Sequence, residues 1–187
     1  NRHPADPVVC GARDGGNTIW VATSGGMFTY RLSDSTFREF TTSEGLRTID
    51  LSAIAVDNQG AVWIGYADGS ACCIAGGQVT RFTARDGLSG TGGCWVSNDR
   101  QGRLWFGKAG RVGTFQDDHF SALGTLPEKV VRLGAAHNGG MWVCSGLQLF
   151  KCGEGGELSK LGELVPDRAG SEPTMLYEDR SGALWMG

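Results

Sequence analysis

Between Leu51 and Tyr66 the hydrophobic pattern breaks only once. Leu51 to Val56 is almost entirely apolar, Asp57-Asn58-Gln59-Gly60 is a polar interruption, and Ala61 to Tyr66 is apolar again. Short apolar runs bounded by turn residues predict buried strands rather than helices. Side chains alternate along a strand, so Val62 and Ile64 share one face and Trp63 takes the other, and both faces are predicted to be covered. The break itself has turn chemistry. An aspartate can accept hydrogen bonds from backbone amides just ahead of it, and a glycine three residues later supplies the positive φ that closes the turn.

The same string returns along the chain. DNQGAVWIG (57–65) is followed by DRQGRLWFG (99–107) and DRSGALWMG (179–187), three copies of Asp-x-x-Gly-x-apolar-Trp-apolar-Gly. Two degenerate copies are DGGNTIWVA (14–22) and HNGGMWVC (137–144). In the first, Asn17 stands where glycine is expected, and asparagine is the other residue that tolerates the left-handed region. In the second, His137 replaces the aspartate. The tryptophans of the five copies, Trp20, Trp63, Trp105, Trp142 and Trp185, are spaced by 43, 42, 37 and 43 residues. A second marker, EGL at 44–46 and DGL at 86–88, recurs 42 residues apart. After each motif a short turn leads to a third strand (Phe28-Thr29-Tyr30 in the first copy) and a fourth (Phe37-Arg38-Glu39-Phe40).

A unit of about forty residues with four strands and one regularly placed tryptophan is a β-propeller blade. No 3.6-residue periodicity separates the strands, which excludes parallel βαβ units. The predicted fold is therefore all-β: a β-propeller with about four complete four-stranded antiparallel blades, near 7–43, 50–85, 93–124, 130–165, and two strands of a fifth at 173–187. The repeat tryptophans, with Asp57, Gly60, Asp99, Gly102, Asp179 and Gly182, are read as structural, each indole wedged between neighbouring blades. A fifth blade without its outer strands would present an open edge, which soluble proteins avoid. The expectation is thus a fragment of a longer chain and a larger ring; as a complete protein it would form a homodimer or aggregate through that edge.

Composition narrows the function classes. The chain of 187 residues has 31 glycines against 5 prolines, 20% charged and 40% hydrophobic residues, and a net charge of −3. That charge argues against broad nucleic-acid binding, which needs a basic surface. No apolar run is long enough for a membrane-spanning helix.

Candidate chemistry is sparse. Cys10, Cys72, Cys73, Cys94, Cys144 and Cys152 include no C-x-x-C spacing and do not follow the repeat. They read as small buried fillers rather than metal ligands or disulfides. His3, His119 and His137 are scattered, and Asp117-Asp118 reads as a solvated strand-to-strand turn. The glycine-rich pieces GLSGTGG and GEGGEL do not lead into helices, so they are not phosphate cradles. No nucleophile elbow, zinc-protease motif or triad is present, and no metal or cofactor is called for. In a propeller, ligands usually meet the end formed by turns between second and third strands and by connections from a fourth strand to the next blade. These are 67–69, 108–110 and 145–146, with 44–50, 86–93, 125–129 and 166–172. Trp95 is the one tryptophan outside the repeat register. It could stack on a sugar ring, although burial against the next blade is the plainer reading. Arg47, Asp50, Asp68, Lys108 and Arg132 are the polar candidates, with solvated surface as the default for each.

The combined motif, followed by the third and fourth strands and DGL, resembles the two-component regulator propeller repeat, and the resemblance spans nearly the whole chain. The Asp-box of sialidases differs, having one residue between Asp and Gly where this chain has two. The resemblance implies a periplasmic sensor propeller of a bacterial histidine kinase or related regulator. Such a module binds a small molecule or oligosaccharide and passes the change to signalling domains in the same polypeptide, without catalysing a reaction. Alternatives are a propeller scaffold for protein interaction and, with less in its favour, a propeller lyase or hydrolase.

Overall fold

The computed structural model describes residues 6–40, 46–47, 50–165 and 172–187. They form four antiparallel four-stranded sheets and one two-stranded sheet, each in simple meander order. The first blade is β1 (Val8–Arg13), β2 (Thr18–Thr23), β3 (Gly26–Arg31) and β4 (Thr36–Glu39). The second is β5 (Leu51–Val56), β6 (Val62–Tyr66), β7 (Ala71–Ala75) and β8 (Gln78–Phe82). The third is β9 (Trp95–Asn98), β10 (Leu104–Lys108), β11 (Arg111–Gln116) and β12 (His119–Thr125). The fourth is β13 (Val131–Ala135), β14 (Met141–Ser145), β15 (Gln148–Cys152) and β16 (Leu158–Glu163). The last pair is β17 (Leu176–Glu178) and β18 (Leu184–Met186). The innermost strands β1, β5, β9, β13 and β17 touch in that succession, as blades of a propeller do. A single 3-10 turn at Ala84–Asp86 is the one helical element among the described residues, and no helix is long and apolar enough to cross a membrane.

The core lies between blades rather than within them. Val62, Ile64 and Cys72 face the first blade's cluster, while Trp63 and Cys73 face the third blade's. The alternation read from the sequence is thus realised residue by residue. Trp63 packs against Phe82 of its own blade at 5.4 Å and against Phe115 of the next at 4.6 Å. Trp105 is completely buried in the cluster shared with Val131, Met141 and Val143 of the fourth blade. Burying a side chain of that size removes about 200 Å² from water, an upper estimate of about 5 kcal/mol. Leu88 of the DGL marker plugs the interface between blades two and three, and Leu46 packs against the cluster between blades one and two. Glu44 and Gly45 of the EGL copy lie outside the described residues.

The repeat motif is a hydrogen-bonded staple. In each intact copy one carboxylate oxygen accepts the amides two and four residues ahead, and the other accepts the indole N–H six residues ahead. For Asp57 these are Gln59 N, Ala61 N and Trp63 Nε1 at 2.9, 2.9 and 3.0 Å. For Asp99 they are Gln101 N, Arg103 N and Trp105 Nε1, each at 2.9 Å. Asp179 repeats the pattern with Ser181, Ala183 and Trp185 at 2.8, 3.1 and 2.7 Å. Gly60, Gly102 and Gly182 close the three turns at φ 82°, 82° and 86°.

The degenerate copies behave differently. Asp14 accepts the amides of Gly16 and Thr18 at 3.0 and 2.9 Å. Asn17, expected in the left-handed region, is not there. Gly15 and Gly16 precede it, and the turn closes without any positive φ. Where His137 replaces the aspartate, Glu178 of β17 substitutes from the next blade. Its Oε2 accepts both the His137 amide and Trp142 Nε1, each at 2.7 Å. The missing acceptor is restored in trans across the blade interface.

All six cysteines are free thiols, and all but Cys10 are buried. Burial raises Cys10 and Cys94 to about 12, and Cys73, Cys144 and Cys152 to about 11. The folded chain therefore keeps protons that the unfolded chain sheds near pH 9. Their contribution is intact below pH 9 and lost as pH climbs through 11 to 12. Thermal unfolding followed between pH 8 and 11 should show Tm falling above pH 9, whereas a flat profile would contradict buried neutral thiols. Asp99→Ala strips four donors of their shared acceptor and should cost about 3 kcal/mol, or roughly 9 °C in Tm. Asp179→Ala should barely move Tm, because its indole partner Trp185 is 59% exposed.

Candidate functional site

One end of the propeller collects the turns between second and third strands and the connections between blades. The two sets are bonded to each other: Ala67 N donates to Asp50 O at 2.8 Å, Cys94 N to Tyr66 O at 3.0 Å, and Gly146 N to Val130 O at 3.3 Å. Every polar candidate singled out from the sequence lies at this end. Parts of two connections, 41–45, 48–49 and 166–171, fall outside the described residues, as does His3.

Arg47 and Asp68 meet directly, at 2.8 Å, although the chain separates them by 21 residues. Arg47 also lies over the Tyr66 ring, 4.7 Å from its centroid, and Tyr66 donates its hydroxyl to Arg47 O at 2.9 Å. Asp68 further accepts from the Ser70 amide and hydroxyl at 2.9 and 2.6 Å, and from Arg81 at 3.4 Å. Partial burial would raise the Asp68 carboxyl, but the Ser70 bonds and the two arginines outweigh it and hold it below the usual range. These side chains are between a third and a half exposed, so the pairs contribute about 1 kcal/mol or less each. Asp50 is exposed at φ 58° and contributes only its carbonyl. Arg81, Tyr66 and Ser70 were not singled out from the sequence.

Lys108 does not present itself to solvent. It is 2% exposed, and its Nζ donates to Gly69 O at 2.9 Å and Gly92 O at 3.1 Å. It therefore ties the turn of blade two to the connection entering blade three. A side chain at position 69 would collide with Nζ, and Gly69 also sits at φ 84°. Desolvation lowers the Lys108 pKa from its ordinary value, with no carboxylate bonded to it.

Trp95 and Arg132, predicted separately, form a pair. The Arg132 guanidinium carbon lies over the Trp95 ring, 3.6 Å from its centroid, bridging the innermost strands β9 and β13. Trp95 is half-buried, packs against the cluster between blades two and three, and has its ring beside Gly93. One ring face is thus already taken by a cation. Arg132 Nε and Nη1 are buried and have no hydrogen-bond partner. Opposite Arg132 in the ladder is Cys144, whose thiol donates to Gly146 O at 3.0 Å. Burial lowers the Arg132 pKa, with the charge of Glu172 acting against it.

A separate groove of about 720 Å³ opens between blades two and three at the end of the staple turns, floored by Trp63 and Phe115. Its charged groups are paired, although Arg103 Nη2 makes no hydrogen bond. Arg103 is bonded to Asp99 at 2.7 Å and pairs with Glu154 at 3.5 Å, and the Trp63 indole is held by Asp57.

No family model and no curated protein sequence matches the chain. Solved structures do. A catalytically inactive virginiamycin B lyase from Staphylococcus aureus with quinupristin superposes with TM-score 0.75 at 15% identity, covering 100% of this chain and 65% of that one. The extracellular domain of a hybrid two-component system from Bacteroides thetaiotaomicron gives TM-score 0.75 at 18% identity, covering 96% of this chain and 26% of that one. YCF48 bound to D1 peptide gives 0.69 at 14%, covering 100% and 63%. The chain therefore spans less than two thirds of each of these proteins. At such identities the likeness establishes the propeller fold.

Lys108→Met should lower stability by about 2 kcal/mol, because the carbonyls of Gly69 and Gly92 lose their shared donor. Urea denaturation checks this, and an unchanged or raised midpoint would show that the buried amine does not tie the two segments together.

Proposed function

We propose that this chain is a ligand-sensing propeller module of a bacterial two-component signal-transduction protein, working outside the cytoplasm on a carbohydrate-derived ligand. The observation that carries this reading is the Trp95–Arg132 pair. An aromatic plate and an unbonded cation share one end with the Arg47–Asp68–Arg81 network, a combination that supplies both apolar contact and hydrogen bonding. The likeness to an extracellular domain of a hybrid two-component system supports the signalling context, and the repeat resemblance supports a periplasmic address. Ligand contacts reaching across β9 and β13 would favour one relative packing of blades over another. That bias would pass to signalling domains in the same polypeptide, through a homodimer of the sensor, as a shift between pre-existing states.

The lyase likeness supplies a second reading, in which this end turns a substrate over. A lyase needs a free acid or base there, whereas the Asp68 carboxylate is engaged by Ser70, Arg47 and Arg81 and the Lys108 amine by two carbonyls, and neither described histidine is on an innermost strand at this end. His119 is on the outermost strand β12, and His137 is in the turn at the opposite end. A scaffold for protein partners is the third reading, which a flat apolar surface at this end would favour.

A saccharide library screened by thermal shift and followed by calorimetry tests the proposal. The expected outcome is a saccharide bound without turnover whose affinity drops at least tenfold in Trp95→Ala, while the variant, its Tm lowered by the lost packing, still unfolds cooperatively above the assay temperature. Unchanged affinity in that variant would remove Trp95 from the site, and consumption of the bound compound would favour the lyase reading.

A further inference from the structure

Arg132 poses a problem that the fold alone does not solve. A guanidinium carries five N–H donors in a rigid plane, and nearly all buried polar groups in folded proteins find partners. Here Nε and Nη1 are buried with none, and no hydrogen bond or ion pair of Arg132 occurs among the described residues. Trp95 sets its ring face against the guanidinium, 3.6 Å from centroid to Cζ, an attraction that leaves Nε and Nη1 without hydrogen bonds. The contrast with the other cations at this end is clear. Arg47 and Arg81 share Asp68, and Lys108 is capped by two carbonyls. The one thiol opposite Arg132 in the ladder is turned away onto Gly146 O and is itself protonated at neutral pH. A guanidinium stacked on an aromatic ring, largely desolvated, and without a hydrogen-bonded acceptor among the described residues, the Glu172 carboxylate acting on it only through its charge, suits a carboxylate or sulfate, which guanidinium binds two-pronged.

We propose that Arg132, held against the Trp95 ring, is the anchor for an oxyanion carried on the ligand, so that the ligand class is an acidic saccharide bearing a carboxylate or a sulfate. This rests on the reading of this end as the ligand face and names what it selects. It also redefines the role of Trp95. The indole serves first as the platform that orients the guanidinium, with only its remaining face and edge left for a sugar.

Matched pairs test it. Trigalacturonate and its carboxyl-reduced form, a sulfated chondroitin disaccharide and its desulfated form, and sodium sulfate alone are titrated calorimetrically into the 187-residue chain. The acidic member of at least one pair should bind at least 100-fold more tightly than its neutral twin. Arg132→Gln should abolish that preference, and Arg132→Lys, which keeps the charge but not the planar fork, should weaken binding at least tenfold. Losing the Trp95 contact should lower the Tm of the Gln variant by a few degrees at most, and a cooperative transition well above the assay temperature separates lost binding from lost folding. Equal binding of acidic and neutral twins would overturn the anchor while leaving the saccharide reading intact. Arg132-dependent binding of sulfate with no saccharide bound would keep the anchor and overturn the saccharide reading. No binding of any probe would overturn the proposal.

Discussion

The carboxylate that clamps a turn and an indole together is the interaction on which the rest of this propeller depends. A blade interface needs a large apolar wedge, and tryptophan is the largest available, but its N–H cannot be buried unpaired without a penalty of about 1–3 kcal/mol. Placing the acceptor six residues earlier, on the turn that starts the same strand, solves both problems. Asp57 and Asp99 satisfy the turn amides with one oxygen and the indole with the other. Burial of Asp99 would raise its carboxyl, but the Trp105 and Arg103 bonds more than offset that and keep it below the ordinary range. The wedge, the turn and the strand register are therefore set by one residue, which is why the motif recurs as a unit.

The fourth blade shows that the need is for the acceptor and not for the aspartate. His137 cannot fill the role, and Glu178 reaches back from β17 to bond the same amide and the same indole. Its carboxyl is drawn below its usual value, the Trp142 and His137 bonds outweighing burial. Within-blade stapling thus becomes between-blade coupling at this one interface. Since the staples occupy one end of the strands, the opposite end is free to carry long connections and unspent donors.

Most of the fold was legible because the repeat writes each blade locally. The split of Val62 and Ile64 from Trp63 and the strand order follow from nearest neighbours along the chain. What was not legible is non-local. Glu178 compensates for a loss 41 positions away, and no in-register comparison of motifs reveals that. Arg132 and Trp95 were each picked out, but their pairing depends on the packing of β9 against β13, 37 residues apart. Lys108 was read as a surface contact because its partners, Gly69 O and Gly92 O, are backbone groups without a side-chain signature. Asn17 was assigned a left-handed backbone from propensity, but the turn from Asp14 to Thr18 closes without any positive φ.

The most direct measurement of the stapling principle is hydrogen exchange at the six indole N–H groups, resolved by nitrogen-15 NMR. Trp63, Trp105 and Trp142 should exchange slowly, with Trp105 slowest. Trp142 should be as protected as Trp63 even though its own motif lacks the aspartate. Trp20 and Trp95, which have no indole acceptor among the described residues, should exchange fast. A Trp142 indole that exchanges as rapidly as those two would contradict the account, because the acceptor supplied by Glu178 would not then be closing the interface.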